Sequence, residues 1–289
     1  MKVLLIGRSG QLATELQKQA PQTYELLVPD RSQLTLENGI TCYDYVLKHE
    51  PDWVINAGAY TNVDLAETES RAAYQLNAHG PGAIALALKK TGGKLLHVST
   101  DYVFHGDKSG AYEITDDPAP VNVYGASKFW GEHYISATLD SEQYALVRTS
   151  WVYSATGKNF VKTMLDVFRS QGGARVVVDQ YGCPTSAVGL AETCWRIVDR
   201  SLTGVFHWTD GSAMSWADFA DAIAEEAFNL KMLEQRPTII RVGTSDYPTP
   251  AIRPKFSILN CLDSYERLEV ERPHWLANLR GVLKELVVD

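Results

Sequence analysis

This chain of 289 residues is short of several things, and each shortage removes a class of function. Basic residues are not in excess: 27 Lys and Arg stand against 35 Asp and Glu, for a formal net charge of −8. Nucleic-acid binding needs a basic footprint, so no such partner is expected, although a local basic pocket for a phosphate stays open. No apolar run approaches the ~18 residues of a membrane span, so no membrane association is expected. The four cysteines, Cys42, Cys183, Cys194 and Cys261, form no CxxC and no His/Cys cluster with zinc spacing. Thiols scattered in this way are expected to be free, in a reducing compartment. The opening run Val3-Leu4-Leu5-Ile6 is too short for a signal-peptide core and reads as a strand; a cytoplasmic protein is expected. There is no repeat and no low-complexity tract.

What is present is ordinary globular composition, 45% hydrophobic and 21% charged, at a length that fits one large α/β unit or two smaller ones. Short apolar runs alternate with helical patterns. Strands are expected at Lys2–Ile6, Tyr24–Val28, Trp53–Asn56, Leu95–Ser99 and Tyr144–Arg148. Helices are expected at Gln11–Ala20, Cys42–His49, Arg71–Lys90 (interrupted at Gly80-Pro81-Gly82) and Ser127–Thr138. That order implies a Rossmann-type α/β fold, a doubly wound parallel sheet, with ligands beyond the carboxyl ends of the strands. Beyond residue 150 the alternation weakens. Arg175–Val178 and Val205–Trp208 still read as strands, Trp216–Phe228 and Trp275–Leu286 as helices, and Asp246–Pro254, with three prolines, as extended or turned. The division expected is a dinucleotide-binding unit over 1–150 and a smaller, mainly substrate-binding unit over 151–289, some of whose segments return to the sheet.

Gly7-Arg8-Ser9-Gly10-Gln11-Leu12-Ala13 joins the first strand to the first helix. Glycine lets the backbone turn tightly and approach a phosphate, and the helix N-terminus offers free N–H groups to a diphosphate. Gly7, Gly10, Gln11 and Leu12 are therefore candidate cofactor contacts. The spacing is GxxGxxA, a departure from GxGxxG; a plain tight turn is the alternative. Asp30 closes the second strand, where an acid bonds the ribose hydroxyls of NADH. Arg31 beside it, or Arg8 in the turn, can instead pair with the 2′-phosphate of NADPH, so the sequence leaves NADPH or NADH open. Ala57, Gly58 and Ala59, after the third strand, are small enough for a cofactor to lie against.

Tyr124 and Lys128 stand four apart, on one helix face. An ammonium beside a phenol favours the phenolate and lowers its pKa, which tunes the phenol as a general acid. Thr100, at the end of the fourth strand, supplies a hydroxyl for a substrate carbonyl beside the tyrosine; its alternative role is a cap or turn. Thr100, Tyr124 and Lys128 are the candidate catalytic set.

The glycine turn with these three residues resembles the extended short-chain dehydrogenase/reductase superfamily. Longer strings are similar to dTDP-4-dehydrorhamnose reductases: Pro51 to Glu67, Ser99-Thr100-Asp101-Tyr102-Val103-Phe104, Asn122-Val123-Tyr124-Gly125, Arg148 to Tyr153, Asn159 to Met164, Asp179 to Thr185 and Tyr247-Pro248-Thr249-Pro250. The resemblance implies NADPH- or NADH-dependent reduction of the C4 ketone of dTDP-4-dehydro-L-rhamnose, for rhamnose-containing polysaccharide synthesis. In that reaction Tyr124 gives the proton, Lys128 lowers its pKa and holds the nicotinamide ribose, and Thr100 steadies the oxygen. It further implies that Asp101, Tyr102 and Trp151 contact the sugar, and Arg253 in the proline-rich segment is a candidate for the diphosphate. Some relatives are described as dimers with magnesium held by interface glutamates. Val188 stands where one such acid is expected, so no metal is expected here, and the chain is expected to be a monomer or weak homodimer. Two rivals remain: a reductase of another nucleotide 4-keto-6-deoxy sugar, and a non-catalytic nucleotide-binding subunit of the same fold.

Overall fold

The computed structural model describes residues 1–288. Its centre is a six-stranded parallel sheet. Five of its strands are β1 (Lys2–Ile6), β2 (Glu25–Leu27), β3 (Trp53–Asn56), β4 (Lys94–Thr100) and β5 (Tyr144–Thr149); the sixth is Gly204–His207. The order across the sheet is the sixth strand, β5, β4, β3, β1, β2. Val3, Leu4, Leu5, Val54 and Ile55 are wholly buried, which is why these strands read as continuous apolar runs rather than alternating ones. Gly204–His207 pairs in parallel with β5 from Ala145 to Arg148, so the second half of the chain does return to the sheet.

The chain leaves β1 for β2 on one side and comes back to β3 on the other. The loops after β1 and β3 part there, which opens a crevice at the carboxyl ends of the strands. Helix α1 (Gln11–Lys18) starts at that crevice. One apolar core fills the side of the sheet that carries α1 and the helix Ala187–Asp199, and a second lies under the helices Gly39–His49 and Gly80–Thr91. A third, of Tyr153, Val161, Phe168, Phe219, Ile223 and Leu283 among others, belongs to the chain beyond residue 150.

Three elements differ from the sequence expectation. The helix expected over Arg71–Lys90 does not break at Gly80-Pro81-Gly82. A wide turn at Gln75–His79 precedes the proline and the helix runs on through Gly80–Thr91. Such a turn takes up the bond that proline cannot make. The helix expected from Ser127 begins at Val123, with Asn122 accepting from the Gly125 amide at 2.8 Å, so Tyr124 lies in its first turn. The strand expected at Arg175–Val178 is Gly173–Val177, and it pairs with Thr238–Val242 away from the main sheet.

Candidate active site

The crevice is a cleft of about 810 Å³. Its walls include Gly7, Arg8, Gly10, Gln11, Leu12, Asp30, Arg31, Ala57, Gly58 and Ala59 at one end, and Thr100, Asp101, Tyr102, Tyr124, Lys128 and Trp151 at the other. All the cofactor and catalytic candidates read from the sequence therefore share one cavity.

Gly7 closes β1 with φ +111°, a conformation that favours glycine. A Cβ there would also sit 2.8 Å from the Gly58 nitrogen. The turn closes with the Gly10 amide on the Gly7 carbonyl at 2.9 Å, and no side chain caps α1. The first amides of α1 thus stay available to an anion. We expect Gly7→Ala to cost ~1–3 kcal/mol of stability, the range for a strained backbone position. Gly10→Ala, at an extended φ of −74° with its nearest obstacle at 3.5 Å, should change stability by under ~0.5 kcal/mol. Denaturant midpoints of the two variants check this; equal losses would refute the steric account.

Gln11 lines the cleft, but its side-chain oxygen is engaged elsewhere. It accepts from Ser154 Oγ at 3.0 Å and Asn159 Nδ2 at 2.9 Å, tying α1 to the loop after residue 150. Asp30 is exposed, and one of its oxygens accepts from the Ser32 amide and hydroxyl at 2.9 and 2.6 Å. These bonds hold its carboxyl below the usual range. Arg8, in the glycine turn, acts on it in the same direction.

At the far end Thr100 ends β4. Its hydroxyl accepts from the Tyr102 amide at 3.2 Å, donates to Asp101 at 3.0 Å, and lies beside the Tyr124 phenol. Asp101 is buried and also accepts from Ser257 Oγ at 2.5 Å. Burial lifts its carboxyl to about 7, against the pull of Ser257 and Thr100. Burial likewise pushes the Tyr124 phenol up to about 12, with Thr100 opposing. Lys128 is not among the groups that shift it. Lys128 is buried one turn along, and its Nζ donates to the Val98 carbonyl at 2.6 Å and lies 3.2 Å from His97 Nε2. Burial brings Lys128 down to about 8. Lys128 thus bonds to two residues of β4.

Trp151 follows β5 with φ +48°, a left-handed backbone that is rare for a bulky residue and marks a position held by its surroundings. It stacks on Trp216 at 3.5 Å between centroids and 12° between planes. Both rings line the cleft, so a flat apolar wall faces Tyr124. Sequence reading missed Trp216 as a site residue, since it stood out only as the start of a helix. Lys158 also lines the cleft and was missed; its only signal was a Gly157-Lys158 pair in a loop.

Arg253 lies close enough to Tyr102, a residue of the wall, for its charge to act on that phenol. Its guanidinium grips Asp64 through bonds of 3.0 and 2.8 Å, and Asp64's carboxyl is held down by that pair. Val188 opens the helix Ala187–Asp199, and its carbonyl accepts from Gln19 at 3.2 Å. Among the described residues no group of three His, Cys, Asp or Glu is placed to hold a metal.

A family model described as the RmlD substrate binding domain matches residues 1–288. A dTDP-4-dehydrorhamnose reductase of Aggregatibacter actinomycetemcomitans is 37% identical over 97% of this chain and 98% of its own. The chain belongs to the dTDP-4-dehydrorhamnose reductase family. A crystal structure of that enzyme from Bacillus anthracis str. Ames in complex with NADP superposes with a TM-score of 0.91 at 34% identity, covering 98% of this chain and 99% of that one. The UDP-glucose 4-epimerase of Thermus thermophilus in complex with NAD, at TM-score 0.82 and 18% identity over 99% of each chain, shares the fold. The reductase family and the doubly wound parallel sheet thus stand as the sequence implied.

Proposed function

We propose that this chain is an NADPH- or NADH-dependent oxidoreductase that reduces the C4 ketone of dTDP-4-dehydro-L-rhamnose to dTDP-L-rhamnose. The observation that carries the reading is the Tyr124 phenol, beside the Thr100 hydroxyl, in the same cavity as the Gly7 turn. The cleft fits a dinucleotide on its own terms. The Gly7 turn lies in the wall, α1 presents uncapped amides, and Ser99 Oγ, in the wall, is buried without a partner. Gly7, Gly10, Gln11 and Leu12 would hold the diphosphate, Asp30 and Arg31 the adenosine ribose, and Ala57, Gly58 and Ala59 the intervening face. The bound dinucleotide supplies the hydride.

The chain's own residues do the rest. Thr100 orients the ketone oxygen. Tyr124, held protonated by burial, donates its proton to that oxygen as negative charge develops there. Lys128 stands one turn away to stabilise the phenolate left behind. Trp151, Asp101 and Tyr102 form the sugar's side of the cleft, and Trp216 extends the apolar wall. Residues 1–150 then serve mainly as the dinucleotide unit and 151–289 mainly as the sugar unit. A reductase fed by diffusible nucleotides fits a cytoplasmic monomer or weak homodimer, and no described helix is long and apolar enough to cross a membrane.

The test is loss of nicotinamide absorbance with NADPH or NADH and enzymatically made dTDP-4-dehydro-L-rhamnose. Oxidation that requires the sugar supports the reading; binding of both ligands without oxidation overturns it. A second expectation concerns the cofactor. Asp30→Ala should weaken NADH more than NADPH, by roughly tenfold, the scale of a hydrogen bond to a charged group. Equal changes in the two dissociation constants would remove Asp30 from the ribose.

A further inference from the structure

The reduction scheme makes no use of His97, a fully buried imidazole in the middle of β4. Each of its ring nitrogens has a polar neighbour. Nδ1 lies 3.0 Å from Asn56 Nδ2, at the end of β3, and Nε2 lies 3.2 Å from Lys128 Nζ.

The polarity of this chain of bonds is fixed from its far end. The Gly58 amide can only donate, and it donates to Asn56 Oδ1 at 3.2 Å. That orients the Asn56 amide, so its NH₂ faces the imidazole. Nδ1 must then present a lone pair. A neutral imidazole carries a single N–H, which is left on Nε2 and aimed at Lys128. An ammonium has three donors and no acceptor, so Nε2–H against it is donor against donor. An amine completes the bond with its lone pair and keeps an N–H for the Val98 carbonyl at 2.6 Å. The opposite polarity turns Asn56 over and sets its NH₂ against the Gly58 amide, leaving two donors facing each other at a partly buried site.

The surroundings agree. Burial pushes His97 well below the usual imidazole range, so the ring is neutral. On the helix that carries Lys128, Glu132 favours the ammonium but is itself bound to Arg148 of β5 at 2.7 Å, and Tyr124 is a phenol. Beyond β4, Asp101 is buried and shifted toward its neutral form. Across the cleft, Asp30, Glu37, Arg8, Arg31 and Lys158 are the ionisable groups of the wall.

We propose that Asn56 and His97 favour the uncharged amine of Lys128 before a dinucleotide binds, and that dinucleotide binding charges it, so that cofactor association takes up a proton. This rests on the reading of the cleft as a dinucleotide site. On the cleft reading the nicotinamide ribose lies at Lys128 and brings hydroxyl oxygens that accept from an ammonium, and hydrogen bonds to the charged form favour it. Charging Lys128 breaks its bond from Nε2–H and frees it to turn from β4 toward Tyr124. His97 and Asn56 are thus positioning residues: they withhold the cation until a hydride donor is present.

Two measurements test this. Nitrogen-15 imidazole spectra of the ligand-free protein should show His97 in the Nε2–H tautomer, with the His97→Gln spectrum giving the assignment. The Nδ1–H tautomer, or an imidazolium near neutral pH, overturns the lock. Calorimetry of NADPH and NADH binding in buffers of different ionisation enthalpy then counts protons. The pH is set at about 8, above the second ionisation of a phosphate monoester at about 6. The wild type should take up about half a proton or more per site. In His97→Gln the amide rotates to offer Lys128 an acceptor, and in Asn56→Asp the carboxylate accepts from Nδ1–H and frees the Nε2 lone pair. Both variants charge Lys128 beforehand, so uptake should fall at least twofold, and either one suffices if the other fails to fold. No uptake by the wild type, or undiminished uptake in the variants, overturns the proposal. Failure of both dinucleotides to bind refutes the cleft reading itself, and the tautomer then decides the lock alone.

Discussion

Tyr124→Phe is expected to lower turnover at least about a hundredfold, the low end for removal of a general acid, while leaving dinucleotide affinity within about threefold, since a single hydroxyl contributes little to a large ligand. The geometry makes the result specific. The phenol ring packs edge-on against Tyr102 at 5.8 Å and 71°, a contact that phenylalanine keeps. Only the oxygen is lost, and with it the proton beside Thr100. The pH dependence carries the sign. Burial raises the phenol to about 12, so the acid form persists across the neutral range and its loss is not what limits activity on the alkaline side. A basic limb near neutrality in the wild type would therefore belong to another group, and Lys128, at about 8, is the candidate. Thr100→Val is the companion measurement. It removes the hydroxyl that lowers the phenol's pKa, so any change in Tyr124 titration should be upward. Near-wild-type turnover by folded Tyr124→Phe would remove the tyrosine from the proton-transfer step.

Why some of this was legible in the sequence, and some was not, follows from distance along the chain. β1, β3 and β4 were found to within a residue or so because both faces of a central parallel strand are buried, which leaves an unbroken apolar run. The Tyr124/Lys128 pair was legible because helical spacing alone puts the two on one face. His97 was hidden inside such a run, in Leu95-Leu96-His97-Val98, where a polar residue reads as noise until its partners are seen. Those partners, Asn56 and Lys128, lie 41 and 31 residues away. The engagement of Arg253 by Asp64, 189 residues distant, was invisible for the same reason. The stack of Trp151 on Trp216 joins a strand end to a helix start that no local pattern links. The two-residue strands Tyr181–Gly182, Thr185–Ser186 and Met214–Ser215 are too short for any periodicity to declare them. What the sequence carries well is the local geometry of each element; what it carries poorly is which buried polar groups meet.

The buried pair Glu132–Arg148 should give the largest change in stability. Replacing Glu132 by leucine is expected to cost ~3–5 kcal/mol, because it leaves a buried guanidinium without its anion. The two side chains are 5% and 6% exposed and meet through bonds of 3.0 and 2.7 Å. Arg148 also lies over the Phe104 ring at 5.1 Å, with Nη1 3.5 Å from His207, so it has no route to water. A cation stranded there must be neutralised or hydrated, and either demands that β5 and the helix Val123–Thr138 part. The double variant Glu132→Leu/Arg148→Met separates that penalty from the worth of the pair itself. It removes both charges together and keeps apolar bulk against Phe104, so it should recover most of the loss and can equal the wild type. Denaturant midpoints of the two variants, with m-values held equal, read this directly. A double variant as unstable as the single one would mean that the pair itself, and not the stranded charge, holds this helix on the sheet. The comparison also bears on the site, since Glu132 sits one turn beyond Lys128 and favours its charged form. In the double variant Lys128 loses that influence, so its titration should move further down while the fold stays intact. A helix that is stable and yet carries a less readily charged Lys128 would separate the scaffold's contribution to turnover from the lysine's.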